Sequence, residues 1–131
     1  MNKTLVSSAL IAGLLLTGSA SMAAVSTGNS QSGMASFYHD RFHGRKTASG
    51  IRYDKNELSA AHKTLPLGTR VRVTDSRTGR DVVVRINDRG PFVKGRVIDL
   101  SRAAADQLGF MAKGVSRVKV EVLRGSENIG S

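Results

Sequence analysis

The sequence predicts a small, mostly β barrel with one or two short helices, and three observations point there. Short stretches alternate apolar and polar residues with period 2, the signature of half-buried strands. Fourteen Gly against only six aromatic residues in 131 suit a turn-rich chain with a small core. One segment, closed by a capping residue and a glycine, has helical character. Several short strands and one helix within about 90 residues favour a barrel, with an open α+β sheet as the alternative.

In chain order, Met1-Asn2-Lys3 is a positive start followed by an apolar run from Leu5 to Leu16. That run is short for a membrane span but suits a secretory core, and Ser21-Met22-Ala23 supplies small residues for cleavage after Ala23. Residues 1–23 are therefore expected to be a signal peptide, and residues 24–32 a polar, flexible leader. The folded unit is expected over residues 33–124, with a disordered tail at 125–131. Within that unit, Thr69 to Thr74 alternates strictly, Asp75 to Gly79 reads as a turn, and Asp81 to Ile86 returns, giving a hairpin. Arg96 to Leu100 carries a short apolar strand. Ser101 caps a helix through Leu108 that Gly109 ends, and Val115 to Leu123 is a further alternating strand.

Composition narrows the chemistry. With no Cys, disulfide scaffolds, Cys-based zinc sites, thiol nucleophiles and a lipid-bearing N-terminal cysteine are excluded. The net charge of +10, or +9 on the 108 residues left after cleavage, predicts an anionic environment. For an exported protein that environment is a cell wall. Nucleic-acid binding would need a cytosolic location and an aromatic platform, and neither is indicated.

The catalytic inventory is short. Asp88, in Asn87-Asp88-Arg89-Gly90-Pro91-Phe92, ends a strand on a rigid turn, where a carboxylate can act as general acid or base or simply close an Asx turn. His62, flanked by small residues, has room beside its imidazole for a ligand or partner carboxylate, or is a satisfied histidine at the core edge. His39 and His43 straddle Phe42, but no third metal ligand is signalled, so neither a metal nor another cofactor is expected. Gly44-Arg45-Lys46-Thr47 lacks the first glycine and the strand-to-helix context of a phosphate loop.

Five blocks carry a family likeness: 33–38 (GMASFY), 42–50 (FHGRKTASG), 60–69 (AAHKTLPLGT), 84–92 (VRINDRGPF) and 95–101 (GRVIDLS). In order and spacing they resemble the rare lipoprotein A family. The resemblance implies a six-stranded double-psi β-barrel, related to expansins, and endolytic, non-hydrolytic cleavage of peptidoglycan glycan strands stripped of stem peptides. It places His62 and Asp88 at two catalytic positions. Tyr38, Phe92, Arg85 and Arg89 then become candidates for contacting glycan rings and lactyl carboxylates. The expected partner is the glycan strand, met by a periplasmic or secreted monomer that is no membrane protein after cleavage.

Three departures accompany the likeness. The lipobox Cys and a C-terminal peptidoglycan-binding repeat domain are missing, so a free protein is expected. Family members usually carry Glu after the small residue-Gly pair, and here Ser49-Gly50 is followed by Ile51. Hydrolysis needs two carboxylates, but a lytic transglycosylase uses the substrate's own C6 hydroxyl as nucleophile, so Asp88 alone suffices in principle. Glu57 is a candidate substitute from the same loop. The alternative is a non-catalytic, expansin-like barrel that binds glycan.

Overall fold

A computed structural model describes residues 30–123. The expected signal peptide, most of the leader and the tail lie outside the described residues.

Six strands close into a barrel: β1 (Ser30–Phe37), β2 (Ser59–Ala61), β3 (Arg70–Asp75), β4 (Asp81–Asp88), β5 (Arg96–Leu100) and β6 (Ser116–Val122). Around the barrel the order is β1-β5-β2-β4-β3-β6, and β6 pairs back onto β1. The β1·β5 and β2·β4 pairs are parallel and the other four antiparallel, the double-psi arrangement. The open α+β alternative is thereby excluded.

The hairpin forms where alternation demands it. Val71 and Val73 on β3 and Val82, Val84 and Ile86 on β4 point inward and meet Ile98, Leu100, Val118 and Val120. Asp75 closes its turn with a buried carboxylate, accepting the Arg77 N–H at 2.8 Å and the Ser116 hydroxyl at 2.9 Å. Helix α1 (Arg102–Leu108) starts where Ser101 Oγ accepts the Ala104 N–H, and it stops at Gly109, which adopts φ +84°. Its Ala104, Ala105 and Leu108, with Phe110 behind them, close one side of the core. A single-turn 3-10 helix at Asp40–Phe42 is the second short helix.

The barrel begins earlier than residue 33, since β1 starts at Ser30. Its first three residues are exposed and polar, so no apolar pattern announces them, but they pair with Lys119, Val120 and Glu121 of β6. Gly33 is required where β1 crosses β5: a Cβ there would lie 2.4 Å from Val97 Cγ1. Among the described residues, no helix is long and apolar enough to cross a membrane.

Candidate active site

The site lies where strands end rather than on their faces. β4 delivers Asp88 at its last residue, and β2 runs parallel beside it. The His62 backbone N–H donates to the Asp88 carbonyl at 3.1 Å, which ties the chain leaving β2 to the end of β4. Beyond Asp88 the chain turns through Gly90 (φ +126°) and a cis Gly90–Pro91 bond.

Three donors hold the Asp88 carboxylate. Oδ1 accepts the Ala48 and Arg89 N–H groups, each at 2.9 Å, and Oδ2 accepts the Tyr38 hydroxyl. Tyr38 is fixed in turn, stacked on Tyr53 with ring centroids 4.4 Å apart and edge-on to Phe42 at 6.0 Å. Burial, the bond to Asp88 and the nearby charges of Asp88 and Asp99 push the Tyr38 phenol well above its ordinary value. It is therefore a neutral, permanent donor.

Asp88 sits at the meeting of two hollows. One, of about 320 Å³, is lined by Tyr38, Asp88, Arg89, Phe92, Arg96 and Asp99 among others. The second, of about 220 Å³, shares Tyr38, Phe42 and Asp88 and adds Arg45, Lys46, Thr47 and Tyr53. Together they form an open cleft with the carboxylate at its centre. Phe92 projects into solvent at its edge, 79% exposed.

Of the expected site residues, Tyr38, Asp88, Arg89 and Phe92 share this cleft. Their contacts distinguish their roles. The Tyr38 hydroxyl is committed to Asp88, and Arg89 turns its Nη1 onto the carbonyls of His62 (3.0 Å) and Leu65 (2.7 Å). Arg85 is exposed on β4 and lines neither hollow.

The His62 imidazole lies on the other side of the same junction. Its Nδ1 accepts the N–H groups of Thr64 and Leu65, both at 3.1 Å, so Nε2 carries the proton and donates to Gln31 Oε1 at 2.9 Å. The ring borders a separate hollow of about 290 Å³ with Gln31, Leu65, Val120 and Val122. Burial first, then the charges of Arg89 and Lys63, hold its pKa below the ordinary histidine value. His62 and Asp88 are thus joined through backbone and through Arg89.

Asp99, which sequence reasoning did not single out, is a second carboxylate in the cleft. It lies within the apolar stretch of β5, opposite Ser36 of β1, whose hydroxyl donates to its Oδ1. The available signal was its place in Val97-Ile98-Asp99-Leu100, an acid interrupting an apolar strand. Ile51 is 60% exposed and lines neither hollow, yet its turn touches the site: Ala48 reaches Asp88, and the Ser49 N–H donates to the Asn87 carbonyl at 3.1 Å. Glu57 is exposed and lines neither hollow. His43 Nδ1 accepts the Lys55 N–H at 3.2 Å, and no three potential ligands cluster as a metal site among the described residues.

Fold and site define a double-psi barrel whose rim presents an open cleft with two carboxylates. The chain belongs to the lytic transglycolase family, whose model matches residues 30–120. It is 59% identical over 98 residues to the endolytic peptidoglycan transglycosylase RlpA of Pasteurella multocida, an alignment covering 75% of this chain and 33% of that protein. The chain therefore spans about a third of that relative's length. Among solved structures, the Streptomyces papain inhibitor matches with a TM-score of 0.60 at 26% identity, covering 76% of this chain and 99% of that one. The Clavibacter michiganensis expansin matches with a TM-score of 0.58 at 22% identity, covering 72% and 50% respectively, a likeness of fold.

Proposed function

We propose that the protein is an exported endolytic lytic transglycosylase that cleaves peptidoglycan glycan strands lacking stem peptides and leaves 1,6-anhydro ends. The observation that carries this reading is Asp88, centred in an open cleft and held on both oxygens by groups from three segments. Family membership and the Pasteurella relative supply the reaction class. The positive start, the apolar run and the small residues before Ala24 support export.

In this mechanism Asp88 acts as general acid toward the departing glycosidic oxygen as the C1–O bond breaks. The substrate's C6 hydroxyl attacks C1, and Asp88, now the conjugate base, accepts its proton. The proton count balances without water. Asp99 adds negative charge to the same cleft and stabilises the developing oxocarbenium ion, which Ile51 cannot do. Tyr38, Ala48 and Arg89 position the Asp88 carboxyl, and His62 positions Arg89. Phe92 offers an apolar face to a sugar ring.

The test is incubation with purified denuded strands and mass spectrometry of the ends. Anhydro ends that fall about 10³-fold in rate for Asp88→Asn are expected, the scale of a lost acid–base group. Reducing ends carrying added water would contradict the lytic mechanism. One observation favours a second reading, a non-catalytic expansin-like binder: an exposed Ile51 stands where relatives usually carry Glu. Strands that sediment with the protein but stay uncut would establish that reading instead.

A further inference from the structure

The two hollows that meet at Asp88 differ in charge. The larger is lined by both Asp99 and Arg96, and its Arg89 is engaged with backbone carbonyls. In the smaller, Arg45 and Lys46 face a wall of Tyr38, Phe42 and Tyr53, with Asp88 the only acid lining it. Neither Arg45 nor Lys46 forms an ion pair among the described residues. The Arg45 guanidinium lies 5.4 Å from the Phe42 ring centroid, and Arg41 lies 5.0 Å from the same centroid. Asp40, next to Arg41, is committed to Arg102. The like charges of Arg41 and Arg45 over one ring repel each other, and an incoming anion relieves that repulsion.

We propose that Arg45 and Lys46 form a carboxylate-reading subsite of the cleft, selecting sugars whose lactyl carboxylate is free. The proposal rests on the glycan reading above and moves the anion-binding role from Arg85 and Arg89 to the 45–46 segment. A strand threaded across Asp88 places sugars in both hollows. In strands with stem peptides the lactyl carboxyl is an amide and carries no charge, so the subsite recognises the removal of the peptide itself. The pairing is planar and charge-assisted on Arg45 and a point contact on Lys46.

The deciding experiment measures binding separately from cleavage. Denuded strands, and the same strands with their carboxylates converted to methylamides, are titrated by co-sedimentation against protein with Asp88 intact and against Asp88→Asn. The Arg45→Gln/Lys46→Gln pair is added in each background. Amidation and the double substitution should each weaken binding about 10-fold, the scale of two exposed ion pairs. Combined, they should weaken it no further than either alone. Equal affinity for both kinds of strand, additive losses, or no binding to any strand would overturn the subsite. Failure of the cleavage reading looks different: the binding pattern persists and no anhydro ends form.

Discussion

The two sides of the β2–β4 junction use their polar groups in opposite ways. On the cleft side, Asp88 is positioned by neighbours but open to solvent, and Phe92 and Asp99 border the same space. On the other side, both nitrogens of His62 are engaged with protein atoms. Arg89 spans the two, starting beside Asp88 and ending on the carbonyls of His62 and Leu65. In the proposed mechanism Asp88 is the reacting group and His62 belongs to the scaffold that aims it, although both motifs read alike as candidate catalytic positions.

Breaking the bridge should have the largest effect among the positioning residues. Arg89→Gln removes a cationic donor from two carbonyls and should cost about 2 kcal/mol of stability, roughly 10 °C in Tm. The three donors to the Asp88 carboxylate remain, but the turn that carries it loses its tie to the 62–65 loop, and kcat should fall about 100-fold. Arg89→Lys should recover little, because an ammonium does not reproduce the guanidinium's reach. Thermal melts and steady-state kinetics on denuded strands check both parts.

On the cleft side, Tyr38→Phe tests whether the phenol serves the substrate or Asp88. The ring already stacks on Tyr53, so its packing survives and only the donor is lost. A fall of about 20-fold in kcat with KM nearly unchanged is expected for lost positioning. A rise in KM alone would make Tyr38 a sugar-binding residue.

His62 sharpens the other half of the comparison. Its folded pKa is lowered, so the unfolded chain binds the proton more readily. The stability it contributes is fully present above the ordinary value of 6.5 and is lost as pH falls from there toward the folded value. Protonating Nδ1 would also turn an acceptor against two N–H groups. Tm should therefore drop as pH falls below about 6.5, and that component should vanish in His62→Asn, whose Oδ1 can still accept. His62→Phe should lose about 10-fold in activity and His62→Asn less than 3-fold. An equal, complete loss in both would place the imidazole in the chemistry.

How much of this was legible depended on where each signal sits. The β3–β4 hairpin and β6 were readable because one face of each is buried, which forces period 2 on their valines. β2 was not, since all three of its residues are small and buried, held between β4 and β5 with no face to alternate. Asp88 was legible through its strand-to-turn context. Arg85 and Arg89 were not separable, because the cleft lies at the ends of strands and the alternation along β4 reports only its faces. Asp99 stood within a recognised block, but its partnership with Ser36 depends on the parallel β1·β5 register, which no local pattern encodes. Tyr38 and Asp88 are likewise brought together by closure of the barrel, 50 positions apart in sequence.

The smallest expected effect is at Phe92, and it separates the two functional readings at the cleft's outer edge. An aromatic ring 79% exposed supports little of the fold, so Phe92→Ala should leave Tm within about 1 °C. If the ring stacks on a sugar, KM for denuded strands should rise about 5-fold with kcat unchanged, the scale of one aromatic contact. Ile51→Glu provides the complementary gain. A carboxylate restored on the turn that supplies the Ala48 donor should raise an existing kcat if the cleft is already catalytic, whereas a barrel idle for want of that Glu should show turnover only in the Ile51→Glu variant. Measured on the same strands, a change confined to KM at Phe92 and to kcat at position 51 would place binding at the outer rim and chemistry beside Asp88.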